Sequence, residues 1–168
     1  MDIKELEQIS KEQSRLQIIK SFRDLITRFE EQGKRQDIFT NNETLQSANP
    51  LKHSFGDGCY IREIFMPAGE LIVSKIHKKL HPFFVLKGHL SILTEDGMQT
   101  IKAPYSGITK PGTKRILYMH EDTVFITVHV TDKTELREIE EDVIAKDFSD
   151  PLITKEDMRL LTNKDIQI

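Results

Sequence analysis

In the stretch KIHKKLHPFFVLKGHL, residues 75–90, His77 and His81 stand four apart, shortly before Gly88. Two chemistries fit such a pair. Neutral imidazoles are ligands for zinc, iron, nickel or copper, and a metal wants each donor nitrogen about 2 Å away. Residues four apart on one continuous strand lie roughly 13 Å from each other. The pair can therefore share an ion only if the chain turns between them, and KKLHP supplies a candidate turn. His129, in TVFITVHV (residues 123–130), is the candidate third ligand. The competing chemistry is anion binding. Lys75, His77, His81 and Arg115 all offer hydrogen-bond donors, and an arginine can grip a carboxylate or phosphate through two parallel bonds. Lys114 and Gly112 in KPGTKR extend that donor set, since a glycine lets backbone amides approach a ligand closely. Tyr118 and Phe83 are the aromatic rings offered for stacking on a guest. Lysine beside a dication opposes metal binding unless an anion intervenes. The plain alternatives are histidines hydrogen-bonded at a strand boundary and a solvent-exposed Lys114-Arg115 pair.

Charge is unevenly spread. The chain of 168 residues carries a formal net charge of -3, yet residues 75–115 hold eight lysines and arginines against Glu95 and Asp96. Such a stretch either decorates the solvent face of strands or makes a local field that attracts an anion. An acidic chain without aromatic residues interleaved among its cations disfavours nucleic-acid binding. No apolar run approaches the roughly 20 residues of a membrane helix, and the polar opening MDIKELEQIS does not resemble a signal peptide. A single cysteine, Cys59, excludes an internal disulfide and suits a reducing compartment. These features predict a cytoplasmic protein with no membrane partner. No P-loop, dinucleotide fingerprint, nucleophile elbow or zinc-ribbon spacing occurs.

Three regions must position these groups. Residues 1–50 are predicted to form an N-terminal helix and linker. Asp2 and Glu5 resemble a capping pair, Leu16, Ile19, Phe22, Ile26 and Phe29 recur at helical spacing, and Gly33 is a plausible stop. TNNETLQSANP (40–50) reads as a loop. Residues 51–131 read as short strands. Leu71, Val73, Lys75 and His77 are placed on one strand face, and Asp96-Gly97 signals a hairpin turn. TVFITVHV should be a central strand, and the polar pair Glu121 and Asp122 a turn. Residues 132–168 return to helical spacing, in TDKTELREIEEDVIAK and again in TKEDMRLL, with the segment packing on the barrel or a partner subunit. The apolar stripe of the first helix predicts a homo-oligomer formed through it.

MPAGELIVSKIHKKLHPFFVLKGHLSI, followed by YSGITKPGTKR, resembles the two motifs of the cupin superfamily. Pro67, Gly69 and Gly88 match the framework of the first motif, and Pro111 with Gly112 that of the second. The resemblance implies a mainly β, cupin-like jelly-roll barrel (a double-stranded β-helix) over about half of the chain, flanked by the N-terminal helix and short C-terminal helices. The ligand positions depart from the family's pattern. Lys75 stands at the first His, His77 keeps the second, His81 replaces a Glu, and Arg115 occupies the second motif's His. The block from KIHKKLH to MHEDTVFITVHVT looks similar to cupin-like proteins of tailed phages. The leading expectation is thus a non-catalytic protein holding a small anionic molecule, nucleotide-like or a sugar phosphate, in a basic pocket with no required cofactor. A phage protein of this kind would sequester a host metabolite or defence signal. Two alternatives stand beside it. One is a metal-dependent cupin enzyme using His77 and His81, with zinc, iron, nickel or manganese bound. The other is a virion or assembly protein.

Overall fold

The computed structural model describes residues 3–31 and 48–146. Helix α1 spans Ile3–Glu31. The strands are β1 (Leu51–Gly56), β2 (Cys59–Met66), β3 (Leu71–Val73), β4 (Ile76–His77), β5 (His81–Lys87), β6 (His89–Thr94), β7 (Gly97–Lys102), β8 (Tyr105–Thr109), β9 (Ile116–Met119), β10 (Thr123–Val130) and β11 (Ile144–Ala145), with helix α2 (Leu136–Val143) before the last. Gly33, residues 40–47 of the expected loop and the TKEDMRLL helix lie outside the described residues.

Two antiparallel sheets face each other, ordered β1-β2-β10-β5-β8 and β3-β9-β6-β7, with a separate β4-β11 pair. The pairing is nested: β2 with β10, β3 with β9, β5 with β8 and β6 with β7. That is one long antiparallel hairpin rolled up on itself, the jelly-roll arrangement expected from the sequence. TVFITVHV forms β10, the middle strand of its sheet. The β6–β7 hairpin turns at Glu95-Asp96, with Gly97 at φ 116° as the first residue of β7.

Alternation along the strands sends Ile64, Met66, Val85 and Phe125 inward from one sheet. They meet Ile72, Leu90, Ile92, Ile101, Leu117 and Met119 from the other. Gly88 allows the turn between β5 and β6. It sits at φ 102°, and a Cβ there would lie 2.5 Å from Thr123 Oγ1 and 2.6 Å from the Asp122 carbonyl oxygen.

The apolar stripe of α1 is covered only in part. Phe22, Ile26 and Leu25 pack on Val73, Ile116, Leu71 and Leu93, the outer side of the β3-β9-β6-β7 sheet. Leu16 and Ile18 stay exposed. An ion pair from Arg15 to Asp96, 3.1 Å, ties the helix to the β6–β7 turn. Among the described residues no helix is long and apolar enough to cross a membrane.

Candidate metal and anion site

The three histidines singled out in the sequence meet at one end of the barrel. His81 and His129 project inward from β5 and β10, which lie side by side, and their rings are 4.4 Å apart. His77 comes from β4, across the turn at residues 78–80, and its ring lies 4.3 Å from His81 and 5.5 Å from His129. One nitrogen from each ring can be chosen so that all three lie within 4.8 Å of one another. The turn required between His77 and His81 is therefore present.

His77 is held from two distant parts of the chain. Its backbone pairs with Ile144 of β11, and its carbonyl accepts a 2.8 Å hydrogen bond from Gly112 N–H. Gly112 has φ 78°, so the second motif's glycine supports a histidine of the first. Helix α2 closes this end of the barrel, packing Ile139 and Val143 on Tyr60. Lys75 pairs with Glu140 and Lys79 with Asp142, the latter at 2.7 Å, while Lys78 Nζ donates to the Glu141 carbonyl at 2.9 Å.

The imidazoles suit a metal. Nδ1 of His77 and Nε2 of His81 are buried and have no hydrogen-bond partner. Nδ1 of His81 lies 3.1 Å from the Lys79 carbonyl, which can only accept, so Nδ1 carries the proton and Nε2 keeps its lone pair. Nε2 of His129 contacts Thr127 Oγ1 at 3.0 Å. Burial, reinforced by nearby cations, holds all three rings neutral. His77 is pushed well below its usual value by burial first, then by His81, Arg115, His129 and Arg62. His81 is lowered to about 4 by burial and then Arg115, against the opposing Lys79 hydrogen bond. His129 is lowered to about 3 by burial, then His81, Arg62 and Lys79. Neutral rings are the ligand form.

Beside the histidines is a cavity lined by the polar residues Arg62, Ser74, Lys75, His77, Arg115 and Thr127 and by the apolar residues Ile64, Met66, Ile72, Leu117 and Phe125. No carboxylate is among these lining residues. The space open to water centres is about 70 Å³, room for on the order of five waters. Arg115 is buried, hydrogen-bonds Thr109, and lies over the Phe83 ring with its guanidinium carbon 5.0 Å from the centroid. Burial lowers both Arg62 and Arg115 to about 10, so both stay charged at neutral pH.

Several expected contacts are corrected. Lys75 lines the cavity, but its ammonium is taken up by Glu140 of α2, a partner far off in sequence. The single strand face expected for Leu71, Val73, Lys75 and His77 is broken. Ser74 N–H bonds to the Arg115 carbonyl at 2.8 Å, the strand stops at Val73, and Ile72 and Ser74 reach the same cavity as Lys75 and His77. Tyr118 does not reach the cavity. Alternation along β9 turns Leu117 and Met119 inward and leaves Tyr118 42% exposed on the outer face, edge-on to His120 at 5.1 Å. Lys114 is buried but does not line the cavity. Phe83 is engaged by Phe125 and Arg115 rather than presented to a guest. Glu121 and Asp122 form the expected exposed turn.

Arg62 was not singled out from the sequence. In CYIREIFM both alternating faces are largely apolar, Tyr60, Ile64 and Met66 against Ile61 and Phe65, so periodicity alone does not say whether Arg62 or Glu63 points inward.

No family model matches the chain, and no curated protein matches it. Solved structures similar to it include an acetylacetone dioxygenase from Acinetobacter johnsonii, 19% identical over 49% of this chain and 59% of that one, TM-score 0.43. A cupin-2 domain of an XRE family transcriptional regulator from Enterobacter cloacae is 14% identical over 51% and 99%, TM-score 0.44. An HTH_3 family transcriptional regulator from Vibrio cholerae is 14% identical over 56% of each chain, TM-score 0.46. The chain spans well under two thirds of the dioxygenase and of the Vibrio regulator. At TM-scores under 0.5 these likenesses do not bear on what the chain does.

Proposed function

We propose that the protein is a cupin-type metal-dependent enzyme. In this reading His77, His81 and His129 hold one divalent transition metal, and Arg62 and Arg115 hold a small carboxylate-bearing substrate beside it. The observation that carries the reading is the pair of buried imidazole nitrogens, His77 Nδ1 and His81 Nε2, that have no protein partner and lie within reach of His129. A buried polar atom left unmatched costs about 1–3 kcal/mol, and a shared cation removes that cost at both atoms. Three protein ligands leave coordination positions open, the feature that separates reactive metal sites from closed structural ones.

A bound metal would supply Lewis-acid polarisation of a substrate oxygen or an acidified water. The chain's own residues do the rest. Lys79 orients His81 through its carbonyl. Arg62 and Arg115 add two positive charges to a cavity without lining acids, so a neutral guest is disfavoured and an anion favoured. Ile64, Ile72, Leu117 and Phe125 line the rest of the cavity and exclude water from it. The small cavity favours a guest of a few heavy atoms over a nucleotide, which narrows the anion expected from the sequence.

The test is reconstitution with zinc, iron(II), nickel, manganese or copper, read by elemental analysis. One metal per chain is expected, lost in His81→Ala and His129→Ala variants that keep a cooperative melt. A thermal-shift series with oxalate, pyruvate and AMP then reads the anion. A small carboxylate at a hundredfold excess over its dissociation constant stabilises by about 2.7 kcal/mol. If no metal is retained near stoichiometry but a carboxylate still stabilises the protein, a non-catalytic anion binder replaces the enzyme reading.

A further inference from the structure

A jelly-roll sheet buries one face and ordinarily shows polar side chains on the other. The β1-β2-β10-β5-β8 sheet does not. Its three central strands turn outward Cys59, Ile61, Glu63 and Phe65 from β2, Val124, Ile126, Val128 and Val130 from β10, and Pro82, Phe84 and Leu86 from β5. The charged groups on those strands are Glu63 and, past the β-bulge at Leu86, Lys87, which pairs with the outward Val124. Ile108 continues the patch onto β8. Phe84 is 38%, Leu86 57% and Ile108 57% exposed. The opposite sheet is treated differently, because α1 covers its outer side with Phe22 and Ile26. Among the described residues, no core cluster places α1 or α2 on the outer face of the five-stranded sheet.

We propose that this face is where two copies of the chain meet, sheet against sheet. Its size suffices for a specific dimer. The strands have 6, 8, 8, 7 and 5 residues; at about 3.4 Å per residue and about 4.8 Å apart they present about 550 Å² per copy, or about 1,100 Å² for the pair. A specific interface needs about 1,000 Å² in total. Its chemistry matches itself. A β-branched and aromatic sheet face packs against an identical one at about 10 Å, the spacing of stacked sheets. The outward acid Glu63 lies directly across from the outward base Lys52 of β1. The acid thus has an opposite charge beside it within its own copy, so burying the face against a second copy does not leave Glu63 without a counter-charge. The same face explains why the outward set of β10, Val124, Ile126, Val128 and Val130, is wholly apolar. The exposed residues of α1 are a separate surface.

The experiment is light scattering coupled to size exclusion on the full chain, with Phe84→Glu and Leu86→Glu as interface variants and Leu16→Glu as the helix control. The wild type is expected at twice the chain mass. Each interface variant should raise the dimer dissociation constant at least a hundredfold while keeping the wild-type circular dichroism spectrum and a cooperative melt. Leu16→Glu should remain dimeric. A monomeric wild type at 100 μM overturns the proposal. So does a folded Phe84→Glu or Leu86→Glu chain that stays dimeric, or dissociation by Leu16→Glu alone, which would move the interface to α1. Both variant positions are already solvent-facing in one copy, so loss of folding is not expected; should both variants unfold, amide exchange across β5 and β10 of the wild type decides. Protection there that does not rise with concentration also overturns it.

Discussion

Acidification of the metal-free protein tests the site most directly. His81 and His129 are buried neutral, with folded values of about 4 and about 3, and His77 lies well below its ordinary 6.5. The unfolded chain takes up protons near pH 6.5, whereas the folded chain takes up almost none above pH 5. Unfolding therefore binds protons in that window, and stability falls as pH falls. The size depends only on the unfolded histidines, since the folded ones remain neutral: about 2 kcal/mol for each between pH 7.5 and pH 5. His81 and His129 together cost about 4 kcal/mol, and His77 brings the loss to about 6 kcal/mol. A domain's whole stability is about 5–15 kcal/mol. His53, which is partly exposed, adds a smaller contribution of the same sign. Asp142 acts outside the window. The Lys79 hydrogen bond lowers its carboxyl below 3.8, so its stabilisation is present above that value and lost below it. Urea unfolding with a chelator present reads the effect. With a slope of about 2 kcal/mol per molar, the midpoint should drop by about 3 M from pH 7.5 to pH 5. In a chain carrying His81→Asn and His129→Asn, the loss should shrink to about 2 kcal/mol. An unchanged wild-type midpoint across that range, or an undiminished drop in the double variant, refutes the buried neutral triad.

Two further outcomes test the frame around the site. Gly88→Ala places a methyl group against Thr123 Oγ1 and the Asp122 carbonyl at a φ of 102°. It should cost about 2–4 kcal/mol, read as a lowered thermal midpoint. Lys75 and Glu140 pair with side chains that are 10% and 30% exposed. A double-mutant cycle with Lys75→Met and Glu140→Gln should therefore give a coupling of about 1–3 kcal/mol, more than a surface ion pair supplies.

The jelly-roll class was legible because short β-branched runs, turn glycines and the spacing of Pro67, Gly69, Gly88, Pro111 and Gly112 are local signals, readable a few residues at a time. His77, His81 and His129 were legible as candidates for a related reason: imidazole chemistry belongs to the residue type, and KKLHP marks its own turn. By contrast, the fate of Lys75 depended on Glu140, 65 positions away. Pairing between distant segments leaves no periodic trace in either one.

The sequence by itself determined the secondary-structure alphabet, the rolled antiparallel sheet and the identity of the three imidazoles. Tertiary structure alone decided that Arg62 faces inward and Tyr118 outward, that the strand breaks after Val73, and that α2 supplies the counter-charge to Lys75. The reason is the two-residue period of a strand. When both alternating sets are apolar, as in β2, nothing local distinguishes inside from outside, and only the packing of the opposite sheet does.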